Sequence, residues 1–446
     1  MNSIGSAGSI GYLNNISSIN TQQAPTVAKA ETTPDIMPQD SAEFLSSLKS
    51  DAQDGKVKLI INADSAEKLE SIKSKLSQKD AGGKITADLP LINGIAIEVP
   101  EEKLGILPQL NLGTDVNIWK DGRISIPDPI IEQTNTRMDV APVTLGVDKL
   151  WEAGLTGKGT TICVIDTGIA QHPDYKDRIV GFKDFVNGRK EAYDDQGHGT
   201  HCTGICAGDG TSSNGKYKGV APEASLVGVK VLDKNGSGNF SDVIKGIQWA
   251  IENKEKYNID VISMSLGGPV TQSSKTDPVS LAAEKATAAG IITVVAAGND
   301  GPNPKTIGTP GNAENVITIG AMDDKGTVSR EDDTLAWFSS TGPTKIDNTT
   351  KPDILAPGVN ITAASHIGSG YVSMSGTSMA TPFAAGVMAI AAQAKPGIDP
   401  TELKDAAKGC AEPLQTKPYT ENQQGKGVIE PVALIKTIAP EIEIKA

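Results

Sequence analysis

Aromatic residues make up only 4% of this chain of 446 residues, and it has just four cysteines, four histidines and a net charge of −13. Each shortage excludes something. So few rings argue against a β-sandwich, whose core leans on large inward side chains. The acidic balance argues against a nucleic-acid partner held by a basic patch. Cys163 sits in an apolar run, Cys202 and Cys206 lie at helical spacing, and Cys410 stands apart. That is not a disulfide framework, and it suits a reducing compartment. No stretch reaches about 18 consecutive apolar residues, so no membrane-spanning helix is expected. Met1 to Ala30 has neither a basic n-region nor a long apolar h-region. The expectation is cytoplasmic residence, with leaderless export as the alternative.

Glycine, by contrast, is abundant at 47 residues, which fits a tightly wound α/β fold with close backbone contacts. Residues 1–40, rich in Ser, Asn and Gly, read as a disordered tail. Residues 41–126 read as a small α+β block in the order β-α-β-β-α-β. Its parts are a strand at Lys56–Ile61, a helix over Ser65–Gln78 capped by Ser65, two strands in Lys84–Pro100 about Asn93-Gly94, a short helix at Glu101–Leu110, and a strand at Val116–Ile126. Residues 127–139, with Pro127, Pro129 and a polar run, read as an exposed linker. In residues 140–446 continuous apolar strands (Thr160–Ile165, Ser225–Leu232, Ile259–Leu266, Ile291–Ala297, Val316–Ala321) alternate with helices, one over Ser241–Asn253 with Ser241 as its cap. This predicts a mostly parallel sheet with helices on both faces.

Four residues carry the chemistry. Asp166 ends an apolar strand, where open α/β sheets place active groups; taken alone it also reads as a turn carboxylate. His198 stands in Gln196-Gly197-His198-Gly199-Thr200-His201 at a helix start. His201 reads as a support of that helix, His172 as structural or solvated, and His366 as lying in an exposed Gly/Ser-rich stretch with no catalytic part. Asn299 closes another apolar strand and reads either as a turn residue or as an amide donor. Ser378, in Gly376-Thr377-Ser378-Met379-Ala380-Thr381-Pro382, begins a helix apolar nearly all round, whose first amides and dipole favour negative charge. A base for the serine and donors for an oxyanion are what make a hydroxyl an effective nucleophile. His198, Cys202 and Cys206 also fall at i, i+4 and i+8, a spacing able to bind zinc. Small buried cysteines are the preferred reading, with Cys202 beside the imidazole.

These strings resemble the subtilisin-like serine proteases, which use the chain order Asp…His…Ser. The match runs through Val164-Ile165-Asp166-Thr167-Gly168, Gly197-His198-Gly199-Thr200-His201, Ser263-Met264-Ser265-Leu266-Gly267-Gly268, Ala296-Ala297-Gly298-Asn299, Asp353-Ile354-Leu355-Ala356-Pro357-Gly358 and the serine heptapeptide. The cysteine after the second histidine is similar to the AprX-type bacterial branch. The resemblance implies a serine endopeptidase with Ser378 as nucleophile, His198 as base and Asp166 as its orienter. Asn299 and the Ser378 amide would form the oxyanion hole. Activity is expected to rise near the free imidazole value, about pH 6–7. Peptide or protein substrates would lie as a strand between Gly236-Ser237-Gly238 and Ser265-Leu266-Gly267. Gly267-Gly268 and Ala296-Ala297-Gly298 would wall an open pocket of broad specificity favouring large apolar side chains. The resemblance also makes residues 41–126 a propeptide that inhibits the enzyme until self-cleavage within about 122–138. It makes Asp174 a ligand of a structural calcium ion facing the loop Asp209–Lys218.

Overall fold

A computed structural model describes residues 46, 48–49, 54–77, 82–107, 116–126 and 141–445. The chain divides into Met1–Ile36 and Met37–Ala446. The first unit lies outside the described residues, so the expected tail is not on view, and neither is the linker at 127–139 with most of the expected cleavage region.

The N-terminal block contains β1 (Lys56–Ala63), α1 (Ala66–Leu76), β2 (Lys84–Leu89), β3 (Gly94–Pro100) and β4 (Val116–Lys120). Its antiparallel sheet has the order β2-β3-β1-β4. The Ser65 hydroxyl accepts from the Lys68 amide and caps α1, while Leu69, Ile72 and Leu76 face inward. Asn93 takes the left-handed conformation in the turn before β3. Alternation along β1 divides the sheet's two faces. Leu59 and Ile61 pack with α1, whereas Ile60, with Ala96 and Trp119, packs against helices of the second block.

Two local expectations give way here. Glu101–Ile106 is a 3₁₀ helix rather than an α-helix; Gly105 and Pro108 leave too little helix-forming sequence to propagate a longer one. The strand expected over Val116–Ile126 breaks at Asp121-Gly122, leaving a separate β5 (Arg123–Ser125). The Asp121 carboxylate accepts from the Ser241 amide at 2.9 Å and its hydroxyl at 2.7 Å, drawing the chain aside.

The second block follows as β6 (Thr161–Asp166), β7 (Ile179–Asp184), α2 (His198–Ala207), β8 (Ser225–Lys230), β9 (Ser237–Asn239), α3 (Phe240–Glu252), β10 (Ile259–Met264), α4 (Pro278–Ala288), β11 (Ile292–Ala296), β12 (Ile317–Asp323), β13 (Thr334–Leu335), β14 (Ile354–Pro357), β15 (Ile361–Ala364), β16 (Tyr371–Met374), α5 (Thr377–Ala394), α6 (Pro400–Cys410) and α7 (Pro431–Ile438). The central sheet runs β13-β12-β11-β10-β6-β8-β7, with β14 also on β12, and only the short β13 is antiparallel. In β6, Ile162 and Val164 point to the layer holding α2 and α5, while Cys163 and Ile165 point to the layer of α3 and α4. Burial on both faces explains why the strands are apolar without alternation. Ser241 lies inside the first turn of α3, not before it; Asn239 precedes the helix. No described helix is long and apolar enough to cross a membrane.

Candidate active site

Asp166, Ser265 and Asn299 all follow or end strands at the carboxyl edge of the sheet, where a parallel sheet opens a crevice. The first helical turn of α2 brings His198 to the same edge. Gly197 enters that helix at φ 112°, and the imidazole of His366 occupies the space a side chain there would need. Gly199 has no room either, since a Cβ would sit 2.2 Å from the Gly168 carbonyl. Asp194 fixes the approach. One of its oxygens accepts from the Gln196 and Gly197 amides, the other from the amide and hydroxyl of Thr200. The Gln196 side chain accepts from the His198 amide at 2.7 Å, and Thr167 accepts from the Gly199 amide at 2.9 Å.

His198 Nδ1 consequently lies 2.8 Å and 3.0 Å from the two Asp166 oxygens, with both side chains buried. A carboxylate only accepts, so Nδ1 carries the hydrogen and Nε2 the lone pair. Nε2 is buried without a hydrogen-bond partner among the described residues. Burial alone would lower the imidazole pKa, but the Asp166 charge, with Cys202 beside it, outweighs this and holds it well above its ordinary value.

Ser378 is the second residue of α5, a helix buried on all sides. Pro382, four residues on, has no N–H to offer the Ser378 carbonyl. That carbonyl accepts instead from the Ser265 hydroxyl at 2.9 Å and from the Cys202 thiol at 3.4 Å. The Ser378 hydroxyl donates to the Ser265 carbonyl at 3.3 Å, and Cys202 Sγ lies 3.8 Å from His198 Nδ1. The proline of the serine heptapeptide thus opens the helix just where Ser265 and Cys202 reach it. Asn299 stands on the opposite side. Its Oδ1 accepts from the Thr377 amide and hydroxyl, both at 2.9 Å. Its Nδ2 faces Gly376 and is buried with no acceptor among the described residues.

Between the two expected substrate edges lies a strand of the protein's own. β5 pairs antiparallel with β9, with Ile124 opposite Gly238 and Ser125 opposite Ser237. Ser125 exchanges two bonds with Gly267, at 3.0 Å and 2.9 Å, and the Ile126 amide donates to the Gly236 carbonyl at 3.0 Å. Leu266 contributes backbone only, its side chain being buried in the core. Beside Ser125 and Ile126 opens a cavity of about 650 Å³ walled by Gly267, Gly268, Ala297, Gly298 and Asn299.

Asp174 is buried and tied to its neighbours by hydrogen bonds. Its two carboxylate oxygens accept from the Ser212 amide and the Tyr371 hydroxyl, each at 2.8 Å, and its carbonyl accepts from Arg178 and the Asp209 amide. Cys206 donates to the Thr203 carbonyl and does not join Cys202; the atoms that converge are those of Asp166, His198 and Cys202. His201 bridges the Ile361 and Val372 carbonyls, and His172 holds the Gly370 carbonyl and the Asp174 amide. His366, expected to stand apart, rests against Gly197. The sequence reading does not single out Thr167, Asp194, Gln196 and Thr377 as supports; the polar run Asp194-Asp195-Gln196 before Gly197-His198 signals two of them, and Thr167 and Thr377 lie in the motifs of Asp166 and Ser378.

The Subtilase family profile matches residues 157–427. The chain is 51% identical over 272 residues to "Serine protease AprX" of Bacillus subtilis (strain 168), covering 57% of this chain and 61% of that protein. It is 40% identical to "Thermostable alkaline protease" of Halalkalibacterium halodurans, covering 56% of this chain and 62% of that protein. To "Subtilisin DY" of Bacillus licheniformis it is 37% identical, covering 63% and 93%. The matched stretch therefore spans under two thirds of the first two relatives' own length. Among solved structures, a cold-adapted subtilisin-like serine proteinase matches at 32% identity and a TM-score of 0.49, over 61% of this chain and 88% of that one. The buried Asp166–His198 pair, the serine heptapeptide opposite it and the extent of the match together make this chain a member of the subtilase family.

Proposed function

We propose that this protein is a serine endopeptidase made as a self-processing zymogen. The observation that carries the reading is the buried Asp166–His198 contact, which leaves Nε2 as a free base in the crevice that holds Ser378. The Ser378 hydroxyl leaves Ser265, gives its proton to Nε2 and attacks the peptide carbonyl carbon; such contacts commonly tighten once substrate is present. The unpaired Asn299 amide and the Ser378 amide donate to the oxyanion. His198 then protonates the departing amine, and water, deprotonated by the same imidazole, hydrolyses the acyl-enzyme.

The N-terminal block acts as the inhibitor. Support comes from β5, which takes the backbone bonds that a substrate strand would take. Gly267, Gly268, Ala297 and Gly298 leave one side of the cavity open, and Val270 and Ile307 add apolar lining, which supports broad specificity with a preference for large apolar side chains.

A fluorophosphonate probe, read by intact mass and peptide mapping, tests the reaction. One adduct per chain, on Ser378 and appearing together with a shortened form, is the expected result. No adduct, or an adduct elsewhere, overturns the reading. A Ser378→Ala chain purified away from other proteases should stay full length; if it matures alone, self-processing is wrong.

A further inference from the structure

Lys230 ends β8, beside Asp166 in the sheet, and its side chain is wholly buried. An ammonium group has three hydrogens and needs three acceptors when dry. Here it finds all three. Nζ donates to the Thr167 carbonyl at 2.6 Å, to the Leu232 carbonyl at 2.8 Å and to Asp195 Oδ1 at 2.6 Å. Each acceptor belongs to a different part of the site. Thr167 follows Asp166, its amide donating to the Asp166 carboxylate at 2.7 Å and its hydroxyl holding the Gly199 amide. Asp195 lies in the loop that delivers His198. Leu232 leads towards β9, the substrate edge, and its amide bonds the Asp166 carbonyl.

We propose that Lys230 is a positioning residue for the Asp166–His198 pair, tying the loop of the acid to the loop of the base by one buried cation. The inference rests on the serine-protease reading above. A structural lysine could be placed anywhere in the core, but this one spans the two segments whose separation sets the 2.8 Å contact. The charged and titratable groups around His198 are Asp166 from β6, Cys202 and His201 from α2, and His366 across Gly197.

The experiment uses the matured enzyme, with kcat expressed per fluorophosphonate-titrated site so that misfolded protein is not counted. Lys230→Met removes both the tie and a positive charge. Its kcat is expected to fall on the order of tenfold to a hundredfold, with KM nearly unchanged, because misplacement at the reacting centre costs rate rather than binding. Asp195→Asn keeps an oxygen for Nζ but turns an ion pair into a neutral hydrogen bond, so its kcat is expected to fall less than that of Lys230→Met, again with KM nearly unchanged. A loss graded from Asp195→Asn to Lys230→Met, confined to kcat per titrated site with KM held, is something a purely structural role would not produce. Should Lys230→Met fail to fold, the kcat of Asp195→Asn per titrated site decides alone, a fall with KM held supporting the tie. A wild-type kcat in Lys230→Met, or in Asp195→Asn where Lys230→Met does not fold, or a fall matched by a rise in KM, overturns the proposal. Absence of titratable sites in the wild type would instead overturn the serine-protease reading.

Discussion

Asn299 owes its place to an asymmetry within one amide. Its oxygen is committed to Thr377, which fixes the group, and its nitrogen is left facing the turn before Ser378. Asn299→Ala should therefore lower kcat by about 10²–10³ with little change in KM, the size of effect that removing such a donor has in subtilisin and borrowed from it. A KM rise at constant kcat in steady-state kinetics would mean that the amide binds ground-state substrate instead. His198 makes a pH prediction. The base must be neutral, and the Asp166 charge raises its pKa despite burial, so the active fraction appears only above the ordinary imidazole value of about 6.5. The sequence alone suggested about pH 6–7; the short, buried contact moves the expectation upward. A kcat/KM profile already at half its plateau below pH 6 would contradict it.

The helix α2 holds a different histidine for a different purpose. His201 is pinned between two carbonyls of β15 and β16, and burial first, then the nearby His198, lowers its pKa to about 4. Between the unfolded value near 6.5 and the folded value near 4, the unfolded chain binds the extra proton, so stability falls as pH falls through that window. The loss amounts to about 3 kcal/mol if the whole shift is expressed. Chemical denaturation of wild type and His201→Gln across this range should show a flatter dependence in the variant; parallel curves would exclude His201 as the source. Asp174 belongs to the same scale, since it joins the Ser212 loop to β16 through hydrogen bonds. Asp174→Asn should cost about 1–3 kcal/mol, and added calcium should not widen the gap in Tm; a widening gap would place a cation there. Much of this was legible. Asp166, His198, Asn299 and Ser378 announce themselves because each ends a strand or starts a helix within a run of small residues. The supports were not, because Asp194 acts through Thr200 and Thr167 through Gly199, contacts that exist only once β6 and α2 lie side by side. The cap of α3 was misread for a related reason: Ser241 looks like a cap until Asp121, 120 residues earlier, claims it.

Across the whole molecule, the N-terminal block meets the second block in three ways at once. Its sheet face packs on α3 and α4, Asp121 binds the first turn of α3, and β5 lies in the crevice. Asp121→Ala removes the middle link. It is expected to weaken docking by about 1–2 kcal/mol and to shorten the lag before proteolytic activity appears, with the matured enzyme's kcat unchanged. An unaltered lag in progress curves would assign docking to the apolar face alone. The sequence disclosed this block by its element order, and the register of β5 against Gly236 and Gly267 became visible only in three dimensions. One consequence follows from β5 belonging to the same polypeptide as the edges it bridges. Its effective concentration there is set by the tether and not by how much protein is in the tube. On the zymogen reading proposed above, diluting an uncut preparation should leave it dormant and severing the backbone should wake it, the freed fragment then competing with every other polypeptide for the groove.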